Sequence, residues 1–214
     1  AKMYDTIRSY GFSKAIGMFL SDRLTSTNLV AIGVAKDYGD MRLELVDTKA
    51  GSGELTLAVD KMLEHAHHGF DKMVEVGKRV AEKTRLYFSV DGLEGLRNSG
   101  RLSEAGKLLA SVLKIKPLIS VGKDKDDDNT YGKMYVIEKI PGSNIARTLP
   151  RLVEYAQKAV ESYKSGKGIA YVVDIRLSEM ADSLYSKLLD IPIFKDNIKR
   201  VSERSNLMYT LVGP

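Results

Sequence analysis

Short apolar runs alternate with longer mixed segments along the first half of the chain. The runs at residues 15–20 and 43–46 are continuously or largely apolar, which is typical of buried strands in a parallel sheet. Helices are predicted at residues 2–10, 29–38, 54–67 and 70–82. Because each strand is followed by a turn and then a helix, the pattern predicts an open parallel α/β sheet.

The second half begins with an apolar run at residues 86–90 that has the aromatic and β-branched content of a strand. After a basic, glycine-containing turn, Ser103 is suited to cap a helix that runs through Leu113. Pro117 is expected to stop this helix. Residues 118–121 and 134–137 then form a predicted hairpin, whose charged tip spans the three consecutive aspartates and is interpreted as a solvated turn.

The rest of the chain returns to α/β alternation. The pattern predicts a helix at residues 144–164, a strand at 169–175, a helix at 178–189 and a strand at 207–212. The chain is therefore expected to form two lobes. Residues 1–84 would be a partial N-terminal α/β lobe with a parallel sheet, and residues 85–214 a C-terminal α/β lobe with a mixed sheet.

Two turns rich in small and hydroxyl-bearing residues follow the first two strands, at residues 21–27 and 47–53. Each would lie at the carboxyl end of a strand and the amino end of a helix, where the partial positive charge of the helix favours anions. In open parallel sheets, ligands bind at this edge. Ser and Thr also cap helices without binding any ligand, and the pattern alone favours that simpler reading.

Composition narrows the classes of function. The 214 residues include no cysteine, which excludes disulfides, thiolate metal sites and cysteine nucleophiles, and is consistent with a cytoplasmic location. The net charge is +5, but basic and acidic residues are interleaved and tryptophan is absent, so nucleic-acid binding is not expected. No apolar run is long enough for a transmembrane segment and no signal peptide is recognised; transient contact with an anionic membrane surface stays open.

Catalytic and metal-binding patterns are not evident in the sequence. His65 and His68 share a helix face at i, i+3 spacing, but no third ligand accompanies them, so no metal or cofactor is predicted. No Ser–His–Asp order, carboxylate pair or phosphate-binding loop is recognised. We therefore expect a non-enzymatic protein.

Four short motifs stand in a defined order along the chain. They begin with LSDRLTST at residues 20–27 and VDTKAGSG at 46–53. The stretch from LEGLRNSGRL to LKIKPLI follows at residues 93–119, and VGP lies at 212–214. Together these motifs resemble the DegV family, bacterial fatty-acid-binding proteins. The resemblance implies a two-lobed DegV-like fold. It also implies carriage of a long-chain fatty acid, whose carboxyl group is presented to a separate fatty acid kinase that phosphorylates it.

Carried over to this sequence, the resemblance implies a set of residues that contact the lipid. They are Thr25, Ser26, Thr27, Ser52, Gly100, Arg101, Leu113, Ile115 and Leu211. For Arg101 a structural role, holding the glycine turn in place, is the favoured alternative, since no second convergent cation accompanies it.

The sequence departs from the family pattern at several points. The opening strand of the family and its T-S-x-P segment have no counterpart, so the chain is expected to lack the family's N-terminal segment. Thr25 and Ser26 replace a serine and a glycine, Leu211 replaces a histidine, and Pro141 replaces an arginine. Two explanations stay open: a fragment of a longer DegV-like protein, which the missing strand favours, and a divergent member of the family, which the internal substitutions favour.

Two other functions remain open at this stage. A protein-interaction or regulatory module that keeps the fold but has lost its lipid would explain Leu211 and Pro141. A small-molecule enzyme using the crevice at the strand ends would require convergent titratable residues, and the sequence offers none that can be placed.

Overall fold

The computed structural model describes residues 1–92, 98, 115–162, 169–175, 178–203 and 207–213. The described chain forms two compact units, Ala1–Glu82 and Lys83–Pro214. Each unit has its own sheet, and the fold is α/β throughout.

The first unit alternates helices and strands as the sequence pattern predicts. Its elements are α1 (Lys2–Ser9), β1 (Lys14–Phe19), α2 (Thr27–Ala35), β2 (Arg42–Asp47), α3 (Ser52–Glu64), a 3-10 turn (Ala66–His68) and α4 (Phe70–Lys83). In the described part of this unit, β1 and β2 pair in parallel from Lys14 opposite Arg42 to Phe19 opposite Asp47. The predicted parallel sheet of the first lobe is present.

Aromatic side chains anchor α1 to the rest of the first unit. The rings of Tyr4 and Tyr38 meet edge to face with centroids 5.1 Å apart, and both residues are buried together with Met41. The Tyr38 hydroxyl donates to Asp5 Oδ1 at 2.6 Å, and this bond raises the pKa of Tyr38. The Tyr4 hydroxyl donates to the Ala31 carbonyl of α2 at 3.1 Å. These contacts fix α1 beside α2.

The second unit is built on a mixed sheet. Its elements are β3 (Arg85–Val90), β4 (Ile115–Val121), β5 (Met134–Pro141), a 3-10 turn (Ile145–Thr148), α5 (Leu149–Glu161), β6 (Ile169–Ile175), α6 (Ser178–Leu189), a second 3-10 turn (Pro192–Phe194), β7 (Ile198–Glu203) and β8 (Leu207–Gly213). Among the described residues the strand order is β5-β4-β3-β8-β6-β7, with only the β6–β7 pair parallel. This is the mixed sheet expected of the second lobe.

Helices α5 and α6 pack their apolar faces into one core with the sheet. Fully buried side chains in it include Leu118 of β4, Leu152 of α5, Leu184 and Leu188 of α6, and Phe194. Removing any of these from water contributes about 1.5–3 kcal/mol to folding. The apolar residues of each helix recur at helical spacing on one face, and this face packs against the sheet.

The observed elements differ from the predictions in three places. Pro117 does not precede a strand but lies inside β4, opposite Lys139, and the pairing of β4 with β5 shifts register one residue later, between Leu118 and Ile119. A proline without an N–H is tolerated in a central strand beside such an irregularity. The predicted helix 144–164 is a 3-10 turn followed by α5, and strand β7 was not predicted at all. The predicted helix 103–113 lies outside the described residues.

Candidate functional site

The turns that follow β1 and β2 are joined by backbone and hydroxyl hydrogen bonds. The Ser21 N–H donates to the Ala50 carbonyl at 3.0 Å, and the Thr48 N–H donates to the Phe19 carbonyl at 3.2 Å. The Thr48 hydroxyl also donates to the Phe19 carbonyl, at 2.7 Å. The two turns predicted as ligand-binding candidates therefore form one surface at the carboxyl ends of the paired strands.

Lys49 crosses between the two turns. Its ammonium donates to Asp22 Oδ1 of the first turn at 2.5 Å and to Asp47 Oδ2 of the second at 2.7 Å. Lys49 also has a positive φ of 49°, a left-handed conformation that costs a non-glycine residue free energy. The two ion pairs offset this cost, and they place a cation between two carboxylates.

Lys49 and Asp22 shift each other's pKa. Hydrogen bonding to Lys49 lowers the pKa of Asp22. Burial alone would lower the pKa of Lys49, but the hydrogen bonds and charges of Asp22 and Asp47 raise it overall. Asp22 and Lys49 are therefore both charged near neutral pH.

Replacing Lys49 by methionine is expected to lower the free energy of unfolding by about 1 kcal/mol at pH 7, since two charge-assisted hydrogen bonds of a partly exposed group are lost. Because the pKa of Asp22 is lowered in the folded state, its stabilisation is present above the unfolded pKa of about 3.9 and is lost as pH falls through the folded value. Wild type and Lys49→Met should converge in strong acid. Urea unfolding between pH 2 and 7 measures the free energy of unfolding of both proteins, with Lys49→Arg as control. If wild type and Lys49→Met differed in stability by the same amount at pH 2 and at pH 7, the prediction would be contradicted.

The first turn presents hydroxyls at the amino end of α2. Thr25 is half-buried, while Ser26 and Thr27 are exposed. The hydroxyls of Thr25 and Thr27 lie 2.9 Å apart, and Thr25 Oγ1 accepts weakly from the Thr27 N–H at 3.4 Å. The side chain of Ser26, at the N-cap, makes no capping bond, and α2 (all of it described) has no acidic residue in its first turn. This helix end is therefore open to an anion.

The second turn is different, because its helix holds a carboxylate of its own. Glu54 is fully buried and its Oε2 accepts from the Gly51 N–H at 2.5 Å. The Glu54 carboxyl group therefore already accepts from a backbone N–H at the amino end of α3, and that N–H is not available to a ligand. Ser52 begins α3, and its side chain lies outside what the structure describes. Of the two turns, the first is the better carboxylate site.

Asn28 is a polar residue of this region that the sequence reasoning did not select. It lies in the first turn of α2 and is only 4% exposed. Its Oδ1 has no hydrogen-bond partner within the described part of the chain. A buried amide without a partner costs about 1–3 kcal/mol, so a group that bonds it on binding would gain that amount. The signal in the sequence was one amide inside an otherwise apolar helix.

An apolar groove extends from the first turn along α2. It has a volume of about 220 Å³ and is open to solvent. Its lining includes side chains from α1, β1 and α2 together with one from β2: Met3, Tyr4, Ile7, Ala15, Phe19, Thr27, Val30, Ala31, Val34 and Leu45. Thr27 therefore belongs both to the hydroxyl turn and to the groove. A hydroxyl-bearing turn at the end of an apolar groove suits an amphiphilic ligand.

The other predicted site residues lie in the second unit. Ile115 opens β4 opposite Pro141, and the backbone of Leu211 in β8 pairs with both Leu86 and Tyr171. Gly100, Arg101 and Leu113 lie outside the described residues. Of the nine predicted positions, Thr25, Ser26 and Thr27 lie together at the start of α2, and the lipid-binding role of all nine stays a prediction.

The described residues contain no group of three or more histidine, cysteine, aspartate or glutamate side chains that could hold a metal ion. Within the same residues, none of the helices combines the length and apolar character needed to cross a bilayer.

A comparison with known protein families covers the whole chain. The family model described as "Uncharacterised protein, DegV family" matches residues 1–214. The chain belongs to the DegV family. The resemblance drawn from four motifs is therefore confirmed, and the match includes the segments that the structure does not describe.

Curated relatives agree with this assignment. A DegV domain-containing protein of Clostridium acetobutylicum is 27% identical over 193 residues, covering 89% of this chain and 64% of the relative. A DegV domain-containing protein of Lactococcus lactis is 25% identical over 190 residues, again with 64% of its length covered. The chain thus spans just under two thirds of the length of these relatives.

Solved structures share the fold. A fatty acid binding DegV family protein from Streptococcus agalactiae superposes with a TM-score of 0.83 at 20% identity, over 100% of this chain and 74% of that one. A stearic acid-binding protein from Eubacterium ventriosum gives a TM-score of 0.76 at 16% identity, over 99% and 74% of the two chains. At these identities the likeness establishes the DegV fold of this chain.

Proposed function

We propose that this protein binds a long-chain fatty acid without catalysing a reaction. The observation that carries the proposal is the apolar groove that begins at Thr27, beside the open amino end of α2. The carboxylate would accept hydrogen bonds from the hydroxyls of Thr25 and Thr27, and the first part of the tail would lie in the groove. The descriptions of the structurally similar proteins, fatty acid binding for that of Streptococcus agalactiae and stearic acid-binding for that of Eubacterium ventriosum, support this ligand class.

The size of the groove sets how much of the ligand it can hold. Sites for small molecules usually enclose about 300–1,000 Å³, and this groove has about 220 Å³. It would therefore take part of a long tail. Each buried methylene contributes about 0.8 kcal/mol, so four of them contribute about 3 kcal/mol and a tail of 14 offers about 11 kcal/mol before the costs of binding. The tail supplies affinity and the hydroxyl turn supplies orientation.

The position of the hydroxyl turn supports a carrier role. Ser26 and Thr27 are exposed, so a carboxyl group held there would be accessible from outside the protein. We propose that a fatty acid kinase is the partner that receives this carboxyl group for phosphorylation, with the present chain contributing no catalytic residue. The cytoplasmic location expected from the lack of cysteine is part of this proposal.

One observation favours a second candidate function. Helix α2 exposes Leu29, Val30 and Ile32, with 59%, 62% and 41% of their surface accessible. Contiguous exposed apolar side chains often mark protein–protein contacts. A DegV-fold interaction module that has lost its lipid would use this surface, and it would stay empty when offered fatty acids.

Thr25→Val tests the carboxylate end of the site. Valine keeps the shape of threonine and removes the hydroxyl, so the dissociation constant for palmitate should rise about three- to tenfold, because one hydrogen bond at a partly exposed site contributes about 0.5–1.5 kcal/mol net. Fluorescence displacement of a labelled fatty acid measures it. Thr6→Val is the matched control, because its hydroxyl donates to the Lys2 carbonyl on α1. Equal affinities of the two variants would contradict the assignment of Thr25.

A further inference from the structure

A polar cleft lies on the sheet of the second unit. Tyr87 of β3, Ser120 of β4 and Tyr135 of β5 stand opposite one another in register, so three hydroxyl-bearing side chains form one row across three strands. Arg85, Lys123 and Asp124 line the same cleft, which has a volume of about 420 Å³. Residues opposite one another across antiparallel strands have Cβ atoms about 4.5–5.5 Å apart, so one small ligand can contact the whole row.

The floor of the cleft is held in place by neighbouring groups. The Ser120 hydroxyl donates to the Leu86 carbonyl at 2.8 Å. The ring of Tyr87 packs against that of Tyr155 on α5, with centroids 5.5 Å apart. Arg85 Nη1 donates to the Thr84 carbonyl at 3.1 Å. Binding groups with fixed positions lose little conformational entropy when a ligand arrives.

The charges and donors of the cleft favour an anion. Among the described residues that line the cleft, Arg85 and Lys123 are basic and Asp124 is acidic, and Asp124 Oδ1 already accepts from the Asp126 N–H at 3.0 Å. Burial raises the pKa of Tyr135, and the charge of Arg85 acts on the same phenol in the opposite direction. Tyr135 is therefore protonated at neutral pH and is a hydrogen-bond donor within electrostatic reach of Arg85.

We propose that this cleft binds a phosphomonoester. The phosphoryl group would accept hydrogen bonds from Arg85, Lys123 and Tyr135, and its organic group would lie against Tyr87. A phosphate monoester carries about −1.5 to −2 charges and three acceptor oxygens, which match two cations and a phenol better than the single charge of a carboxylate does. The cleft also exceeds the size of a bare anion and falls within the usual range for small ligands. The proposal is independent of fatty acid binding.

Calorimetric titration in a phosphate-free buffer tests the site on the full chain. The probes are inorganic phosphate, glycerol 3-phosphate and AMP, which separate the phosphoryl group alone, a lipid-headgroup source and a nucleotide source. Arg85→Gln should weaken the best-bound probe about tenfold, and Tyr135→Phe about two- to tenfold, as expected for a charge-assisted and a neutral hydrogen bond. Asp124→Asn should strengthen binding, because it removes the repelling charge.

The opposite signs of these variants separate a binding effect from a folding defect. Arg79→Gln, which removes an exposed cation of α4 in the first unit, is the matched control and should bind like wild type. The proposal is supported by weaker binding of Arg85→Gln together with stronger binding of Asp124→Asn. It is overturned if none of the three probes binds at millimolar concentration, or if Arg79→Gln and Arg85→Gln lose affinity equally.

Discussion

Replacing Ala31 by tryptophan is expected to weaken palmitate binding on the order of a hundredfold. Ala31 lines the apolar groove, and an indole at this position would occupy most of its 220 Å³. If the groove holds about four methylenes, their exclusion removes about 3 kcal/mol of binding free energy. The Ala31 carbonyl keeps its bond from the Tyr4 hydroxyl, so α1 should remain attached to α2. Displacement of a fluorescent fatty acid gives the two dissociation constants.

The matched control is Ile32→Trp on the same helix. Ile32 is exposed and is not among the residues that line the groove, so this variant adds an indole without filling the groove. It should bind palmitate like wild type. Normal binding by Ala31→Trp together with weak binding by Thr25→Val would mean that the carboxyl end is assigned correctly and the tail lies elsewhere.

Replacing Asn28 by leucine is expected to stabilise the ligand-free protein and to weaken its binding of fatty acid. Leucine has nearly the shape of asparagine, and it removes a buried Oδ1 that has no partner among the described residues. The gain in the free energy of unfolding should be about 1–3 kcal/mol, or about 2–4 °C in Tm for each kcal/mol.

The expected loss in affinity assumes that the head group reaches the buried amide of Asn28, which follows Thr27 in the first turn of α2. In the complex we expect the amide to bond the head group, through Oδ1 to a protonated carboxyl or, with the amide rotated, through its nitrogen to a carboxylate. Asn28→Leu should therefore bind palmitate about tenfold more weakly. Thermal unfolding with and without palmitate measures both effects at once. A variant with a lower Tm and unchanged affinity would assign Asn28 a purely structural role.

Most of the fold could be predicted from the order of apolar runs, because strands carry more apolar residues than the turns beside them. The burial of β1 was not predicted correctly, since its residues are half-buried or exposed in a sheet of two described strands. Strand β7 escaped prediction because its sequence, IKRVSE, is largely charged or polar. It is the last strand in the order of the sheet, and edge strands are commonly charged. Pro117 was misplaced because a proline in a central strand depends on the following shift in register, which local sequence does not reveal.

The candidate site could be predicted only in part. The turn at Thr25–Thr27 was recognised from local chemistry and the family motif. The groove was not, since it is formed by side chains that are distant in sequence, from Met3 to Leu45. The difference between the two turns was also not predicted, because it depends on the buried Glu54 carboxyl group, which accepts a hydrogen bond from the Gly51 N–H. Which hydroxyl turn is open to an anion is thus a property of the folded chain.

Fatty acid binding by this chain can be tested by denaturing the purified protein and identifying the released small molecules by mass spectrometry. About one fatty acid per chain is expected, either as purified or after incubation with fatty acids of 14 to 18 carbons. A chain that remains empty after incubation with this panel, while still folded by circular dichroism, would contradict fatty acid binding and favour an interaction module built on the exposed face of α2.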